Sequence, residues 1–407
     1  MKAKTNMMTF IYLLTVAVLL LTLSGCDNGH KTPGTIKIGV LFPLSGEMAD
    51  GGGDNKRGVE LATEEINAAG GIAALGGAKL ELIFGDTQGI PDIGVQEAER
   101  LIKDEGVVAL VGTWQSSVTK PTTQVAEQLE TPFIVNMSIA DIITERGFRY
   151  TFRVCPKARF YGRDQVRFLT DLDDLAGYPV RRVALLYENT DFGTSTALAQ
   201  KKALQEYGLE LVAEVSYVAE GVTDLSSEVA QILAADPDAI LEVTYLNDSI
   251  LIARALADAG AKLPVVDTAG GTVFPEYIEA LGPLAEGTLT IAEYSKYAPG
   301  AKELSDRFRA RFGVDITGNS AYAYQAMFVL KDALERAGAV DKEKLREALA
   351  TTDLPRGPQM ILPAERLRFD ADGQNEFASL YVVQIQDGDW VPVWPAEFAV
   401  AKVRLNR

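Results

Sequence analysis

Short apolar runs and longer stretches of helical periodicity alternate along the chain. Ile36 to Phe42, Lys79 to Gly85 and Val107 to Val111 predict strands, the last apolar throughout and therefore buried on both faces. A helix carrying Val59, Ala62 and Ile66 on one face and stopped by Gly70-Gly71 lies between the first two, and a second helix is predicted over Asp92 to Asp104. Such alternation predicts a parallel sheet with helices on both faces, because parallel neighbours need a crossover and the crossover is helical. Strands at Phe133 to Asn136 and Tyr150 to Val154 extend the series. The pattern then restarts: helices near 157–172, 192–206, 226–235 and 248–259 alternate with strands at 182–187, 209–217, 239–244 and 264–266. A strand at 287–293, helices near 301–312, 321–337 and 341–350, and strands at 367–369 and 379–386 follow. The reading is therefore an α/β fold of two Rossmann-like lobes with parallel sheets, in which the chain crosses between lobes more than once. Crossings near Val154, Ala292 and Asp370 would form a three-segment hinge. No residue-level repeat and no low-complexity linker separates the halves.

Val107 to Thr119 is the most informative stretch. Gly112 allows a tight turn after the strand, and Ser116, Ser117 or Thr119 could cap a helix that accommodates Pro121 in its first turn and runs to about Leu129. Hydroxyls and free amides would then face the open end of a sheet, where an α/β fold places a small ligand and a helix start favours an anion. The competing reading is that the serines only cap the helix.

Composition narrows the chemistry. A chain of 407 residues, 47% hydrophobic, can bury two cores. Lys2 and Lys4 precede an apolar run, Thr9 to Leu21, too short for a comfortable membrane span, closed by Leu23-Ser24-Gly25-Cys26. This secretory signal resembles the bacterial lipobox. That resemblance implies that Cys26 becomes the lipidated first residue, and that Asp27 keeps the protein on the inner membrane of a double-membraned bacterium; an ordinary cleaved signal is the alternative. The mature chain would carry 37 basic and 56 acidic residues, so nucleic acid is excluded as a partner for want of a basic face. The single histidine, His30, falls in the polar tether, and Cys155 is the one thiol left after lipidation. No Cys–His or Ser–His catalytic set, intramolecular disulfide or His/Cys metal cluster can be assembled, and no cofactor is expected.

Several strings read together: IKIGVLFPLSG from Ile36, EINAAGGI from Glu65, DTQG from Asp86, TERG from Thr144, FRVCP from Phe152 and RVALLY from Arg182. Together they resemble the branched-chain amino-acid-binding family of ABC transporters, the type I periplasmic binding proteins, from about Ile36 to Gln386. The resemblance implies two lobes joined by three crossover segments, with ligand held in the cleft and delivered to a membrane permease. It places the ligand serine on Ser116 and a run of small or hydroxyl residues on Ser138, Ile139 and Ala140, with Ile139 where threonine is common. In the second lobe, Phe192 and Tyr245 fall on ligand aromatics. The acid that usually holds the ligand's ammonium falls on Ala269, and the first loop has Gly51, within Asp50 to Asp54, where an aromatic often covers the ligand. An unpaired buried ammonium would cost roughly 3–5 kcal/mol, so a leucine-type ligand requires the charge from elsewhere, with Asp50, Asp267 or Glu242 as candidates.

The run Gly51 to Lys56 is no phosphate loop, since it lacks G-x-x-x-x-G-K-[ST] and carries repelling acids. Trp114 is either a platform for an apolar ligand group or a lobe-surface aromatic; Tyr245 is a cleft residue or a buried tyrosine satisfied by backbone; Cys155 is a small hydrophobe. The expected partition is 1–25 signal peptide, 26–35 tether, 36–154 with 293–370 as lobe 1, and 155–292 with 371–407 as lobe 2. The expected function is that of an exported, lipid-anchored, monomeric solute-binding component of an ABC importer, without catalysis. It would capture a small amino acid or related carboxylate, docked first on Ser116 and Ser138 and then covered by Phe192 and Tyr245. The alternatives are a ligand-sensing module with a separate signalling partner, or an enzyme using carboxylates such as Asp50 and Asp267.

Overall fold

The computed structural model describes residues 34–405 apart from 358 and 360–362. The signal peptide, Cys26, His30 and most of the tether lie outside the described residues, and no described helix is long and apolar enough to cross a membrane.

The first sheet contains β1 (Thr35–Phe42), β2 (Lys79–Asp86), β3 (Ala109–Gly112), β4 (Phe133–Val135) and β5 (Thr151–Arg153), all parallel in the order β2-β1-β3-β4-β5. Successive residues of β3 enter different cores: Leu110 packs with Leu101, Val125 and Phe133, whereas Ala109 and Val111 pack with Ile38, Val40 and Val59. Burial on both faces explains why the run shows no polar alternation. The flanking helices are α1 (Ala49–Ala68), α2 (Pro91–Lys103) and α3 (Ser116–Gln128).

After β5 the chain builds the second lobe. In chain order its elements are α4 (Ala158–Ala176), β6 (Arg182–Glu188), α5 (Asp191–Tyr207), β7 (Glu210–Tyr217), α6 (Ser226–Ala234), β8 (Ala239–Val243), α7 (Leu246–Asp258), β9 (Val265–Asp267), α8 (Pro275–Leu281) and β10 (Leu289–Ala292). It then leaves for α9 (Ala301–Phe312), α10 (Gly318–Ala337), α11 (Lys342–Ala350) and the antiparallel pair β11 (Asp353–Pro355) and β12 (Arg366–Arg368). It returns as β13 (Tyr381–Gln386) and β14 (Asp389–Trp394). α10 packs on α1, and the approach requires glycine: a Cβ on Gly58 would lie 2.2 Å from the Ser320 carbonyl oxygen.

The second sheet has the order β14-β13-β10-β9-β8-β6-β7; β10-β9-β8-β6-β7 are parallel as expected, and two antiparallel strands extend one edge. β13 pairs antiparallel with β10, and β14 with β13. β13 enters from the crossing side without a helical crossover, so it runs opposite to its neighbours. The turn to β14 is Asp387-Gly388, with φ of 54° and 77°, as a two-residue hairpin needs. β14 and α8 were not expected.

The first and third passages between sheets are bonded to each other. Arg153 N–H donates to Gly373 O at 2.8 Å, Asn375 N–H to Arg153 O at 2.9 Å, and Asn375 Nδ2 to Val154 O at 3.0 Å.

Candidate functional site

In both sheets the segments leaving the C-terminal strand ends converge on one interlobe cavity, the general position for a ligand in open α/β sheets. The wall contains Trp114 and Ser116 after β3, Met137, Ser138 and Ile139 after β4, Tyr161 on α4, Phe192 on α5, and Tyr245 after β8. Thr268, Ala269 and Gly270 after β9, Glu293 after β10 and Asn319 on α10 complete it. Of the residues singled out from sequence, Trp114, Ser116, Ser138, Ile139, Phe192, Tyr245 and Ala269 are thus brought together.

Gly51 and Ala140 are not on this wall. Gly51 lies in the first turn of α1, because Gly51-Gly52-Gly53 is helical rather than loop. Packing overrides the low helix propensity of glycine: a Cβ on Gly51 would come within 2.2 Å of the Trp114 ring, and one on Gly52 within 1.8 Å of the Pro43 carbonyl oxygen. Ala140 faces away, its N–H donating to Ser116 Oγ at 3.2 Å.

The helix start also differs from expectation. The N-cap of α3 is Gln115, without a side-chain cap bond, and Ser116 is the first helical residue. Thr119 Oγ1 donates back to Gln115 O at 2.9 Å instead of capping. Helix geometry leaves the Ser116 and Ser117 amides without an intrahelical acceptor. Since Ser116 Oγ accepts from Ala140, its hydroxyl proton remains free to donate into the cavity. Ser138 is different: its Oγ donates to Trp114 O at 2.8 Å, which leaves no proton for a ligand.

Those bonds hold a backbone that would not persist alone. Trp114 has φ of 85°, uncommon for a side chain of this size and costly by about 1–3 kcal/mol. Its carbonyl accepts from Ser138 and its Nε1 donates to Asn319 Oδ1 at 3.0 Å. The indole meets second-lobe rings edge-on, Tyr245 at 5.5 Å and Phe274 at 6.4 Å between centroids, and Tyr245 in turn meets Phe192 at 5.2 Å. Phe192 is placed by Glu188, a buried carboxylate that accepts from the Thr190 and Gly193 amides at the start of α5. Polar contacts also join the lobes: Lys120 pairs with Asp191 at 2.8 Å, and Asp141 N–H donates to Ser195 Oγ at 3.1 Å.

With the rings in contact, the inner cavity measures about 30 Å³, the scale of one or two waters. A second cavity of about 360 Å³, lined by Glu47, Asp50, Gly51, Asn247 and Phe274 among others, lies beyond Trp114 and Tyr245, which border both. Any larger solute must part those rings on entry.

The charges fall differently from expectation. Asp50 faces only the outer cavity. Asp267 accepts from Thr244 Oγ1 at 2.9 Å and Thr272 Oγ1 at 2.6 Å, and does not reach the wall. Glu242 is buried beneath α7 at another cavity, and burial first, then Asp267 and Asp248 nearby, push its carboxyl well up. The acid on the inner wall is Glu293, which sequence reading missed. It is 4% exposed and accepts from Tyr161 OH. Burial pushes its carboxyl up to about 7, against that hydrogen bond. Its signal in the sequence was a polar residue directly beyond an apolar strand. Arg153 was also overlooked. It is fully buried, and Nη1 donates to Ser138 O at 2.9 Å and Ala140 O at 2.7 Å, fixing the loop that forms part of the wall.

Comparison with known proteins gives a consistent picture. Residues 35–389 match the family model described as periplasmic binding protein. The chain is 31% identical over 387 residues to Leu/Ile/Val-binding protein homolog 7 of Brucella suis biovar 1 (strain 1330), covering 91% of this chain and 94% of that one. Among solved structures it is similar to a leucine-binding protein from Thermotoga maritima, with a TM-score of 0.79 at 25% identity, covering 89% of this chain and 99% of that one. It is also similar to a branched-chain amino acid transporter substrate-binding protein from Streptococcus pneumoniae in complex with isoleucine, with a TM-score of 0.76 at 26% identity, covering 88% and 97%.

Proposed function

Since the chain belongs to the periplasmic binding protein family, we propose that it is the extracytoplasmic solute-binding component of an ABC importer and captures a small amino acid or related carboxylate between its lobes. The observation that carries this is the inner cavity, where the free hydroxyl proton of Ser116 and the first amides of α3 meet aromatic rings from the other lobe. A carboxylate docks at the helix start, where the dipole and unpaired amides favour an anion. The second lobe then closes with Phe192 and Tyr245 over the solute, and closure is driven by the additional contacts made in the shut form. In this reading residues 36–154 with 293–370 move as one lobe and 155–292 with 371–407 as the other. The wall offers positioning groups and no activated nucleophile, so the solute is released unchanged to a permease. Lipid on Cys26 would hold the monomeric protein at the outer face of the cytoplasmic membrane.

Thermal melts with the standard amino acids and their des-amino carboxylates test the reading. A ligand at a hundred times its dissociation constant adds about 2.7 kcal/mol, or roughly 3–4 °C for a chain of this length. No shift with any member of the panel sinks it.

A further inference from the structure

We propose that Glu293 pairs with a cationic nitrogen of the solute, so that the inner cavity selects solutes carrying both a carboxylate and an amine. This rests on the solute-binding reading above. Glu293 is the first residue after β10, 4% exposed, on the cavity wall, and its carboxyl accepts from Tyr161 OH and its own backbone N–H. Among the described residues no lysine or arginine pairs with it, whereas Asp54 has Arg57 and Thr317, Glu188 its helix amides and Asp267 two threonines; Glu242 also lacks a cation but lies at a separate cavity, off this wall. Space for its second oxygen is kept by Gly318, where a Cβ would lie 2.6 Å from Oε2. A buried carboxyl without a cation is costly to ionise, and a cation brought by a ligand relieves that cost.

The opposite pole of the cavity is the Ser116 hydroxyl and the start of α3, which favour an anion. One wall therefore suits a carboxylate and the other an ammonium, a pattern complementary to a zwitterion. Ala269 contributes only a methyl group to the wall, so the acid that the family resemblance places there is missing. The lost charge is made good by a neighbouring strand: β9 and β10 are paired, with Asp267 opposite Thr290, so Ala269 and Glu293 leave adjacent strands in the same direction.

The groups facing Glu293 are Tyr161 on α4, Cys155 on the first crossing, Tyr322 on α10 and Asp267 at the end of β9, with Lys296 and Asp315 around the cavity on its other side. Burial keeps both tyrosines and the thiol neutral at physiological pH. With its carboxyl pushed up to about 7 by burial, Glu293 is half protonated at neutrality. Capture of a cation therefore releases about half a proton at pH 7, and affinity falls about tenfold for each pH unit below 6.

Calorimetry of the purified protein with the twenty standard amino acids and their des-amino carboxylates, at pH 5.5, 7 and 8 in two buffers of different ionisation enthalpy, tests this. The wild type is expected to prefer the amino acid at least a hundredfold over its des-amino partner at pH 8 and to release about half a proton at pH 7. Glu293→Gln should lose that preference and the proton release while holding the des-amino acid within about threefold. Tyr161→Phe, which keeps the ring, should shift the pH profile upward. Equal amino-acid affinity and pH slope in wild type and Glu293→Gln overturns the inference and leaves solute binding intact, as does a wild type that binds des-amino carboxylates alone. If the wild type binds no member of either series, the solute-binding reading falls and the inference with it.

Discussion

Replacing Arg153 by methionine tests how the first-lobe wall is held. The guanidinium makes four hydrogen bonds inside the protein: Nε to Gln374 Oε1 at 2.6 Å, Nη1 to Ser138 O at 2.9 Å and Ala140 O at 2.7 Å, and Nη2 to Thr144 Oγ1 at 2.9 Å. Among the described residues no carboxylate bonds to it, and burial lowers its pKa, so desolvation opposes keeping the charge. Two effects therefore compete. Methionine removes the buried charge, which favours the variant by several kcal/mol, yet leaves four buried acceptors facing a thioether, at about 1–3 kcal/mol each. Four lost charge-assisted bonds outweigh the relief, and the net loss expected is about 3–5 kcal/mol, a fall in Tm of about 4–6 °C for a chain of this length. Ligand affinity should fall at least tenfold with it, because the freed loop also carries the Ala140 N–H that orients Ser116. Arg153→Lys keeps the charge without the planar fork and should lie between the two. Differential scanning fluorimetry and calorimetry read both effects. A methionine variant melting within 1 °C of wild type, with an unchanged dissociation constant, would refute this account of the wall.

Ser116→Ala should weaken binding of any carboxylate solute about 10- to 100-fold by calorimetry, through loss of its free O–H donor, and cost about 1 kcal/mol of stability through the orphaned Ala140 N–H. Gly52→Ala places a methyl against the Pro43 carbonyl and should destabilise by more than about 2 kcal/mol in a urea melt, whereas Gly76→Ala, which meets nothing within 4 Å, should cost only the strain of its left-handed φ of 68°. Burial pushes the Asp248 and Glu293 carboxyls up to about 7. Raised carboxyl pKa values mean that the native state favours the protonated forms, so their stabilisation is full below the unfolded values near 4 and is lost as pH rises to 7. Each contributes up to about 3–4 kcal/mol, and Tm should fall between pH 5 and 7.5; a flat profile would contradict these assignments.

Much of the fold could be read from local pattern, because a strand buried on both faces must be apolar throughout and one beside water cannot be. What escaped depended on distant partners. Gly51-Gly52-Gly53 reads locally as loop, and only the Trp114 ring and the Pro43 carbonyl make Gly51 and Gly52 the residues that fit a helix start there. β14 reads Asp-Trp-Val-Pro-Val-Trp, and Pro392 in its middle weakens the strand reading, but Asp387-Gly388 before it was the hairpin mark that should have revealed it. The hydroxyl of Ser138 could not be assigned without knowing that a strained Trp114 carbonyl lies 2.8 Å away.

The missing acid shows why reading a site position by position can mislead. A ligand charge must be met from some direction in space, but neither a particular strand nor a particular position in the chain is required to supply it. β9 and β10 are parallel neighbours, so the residues following them enter the cavity side by side. An acid lost from one loop and gained on the next changes the direction of approach while leaving the cavity's polarity alone. That move carries a further consequence. Glu293 stands at the second passage between the sheets, and Tyr161, its hydrogen-bond donor, lies on α4 just beyond the first. A cation drawn to this acid therefore bears on the segments about which the lobes turn, so charge recognition and closure are coupled more directly here than an acid on the β9 loop would allow.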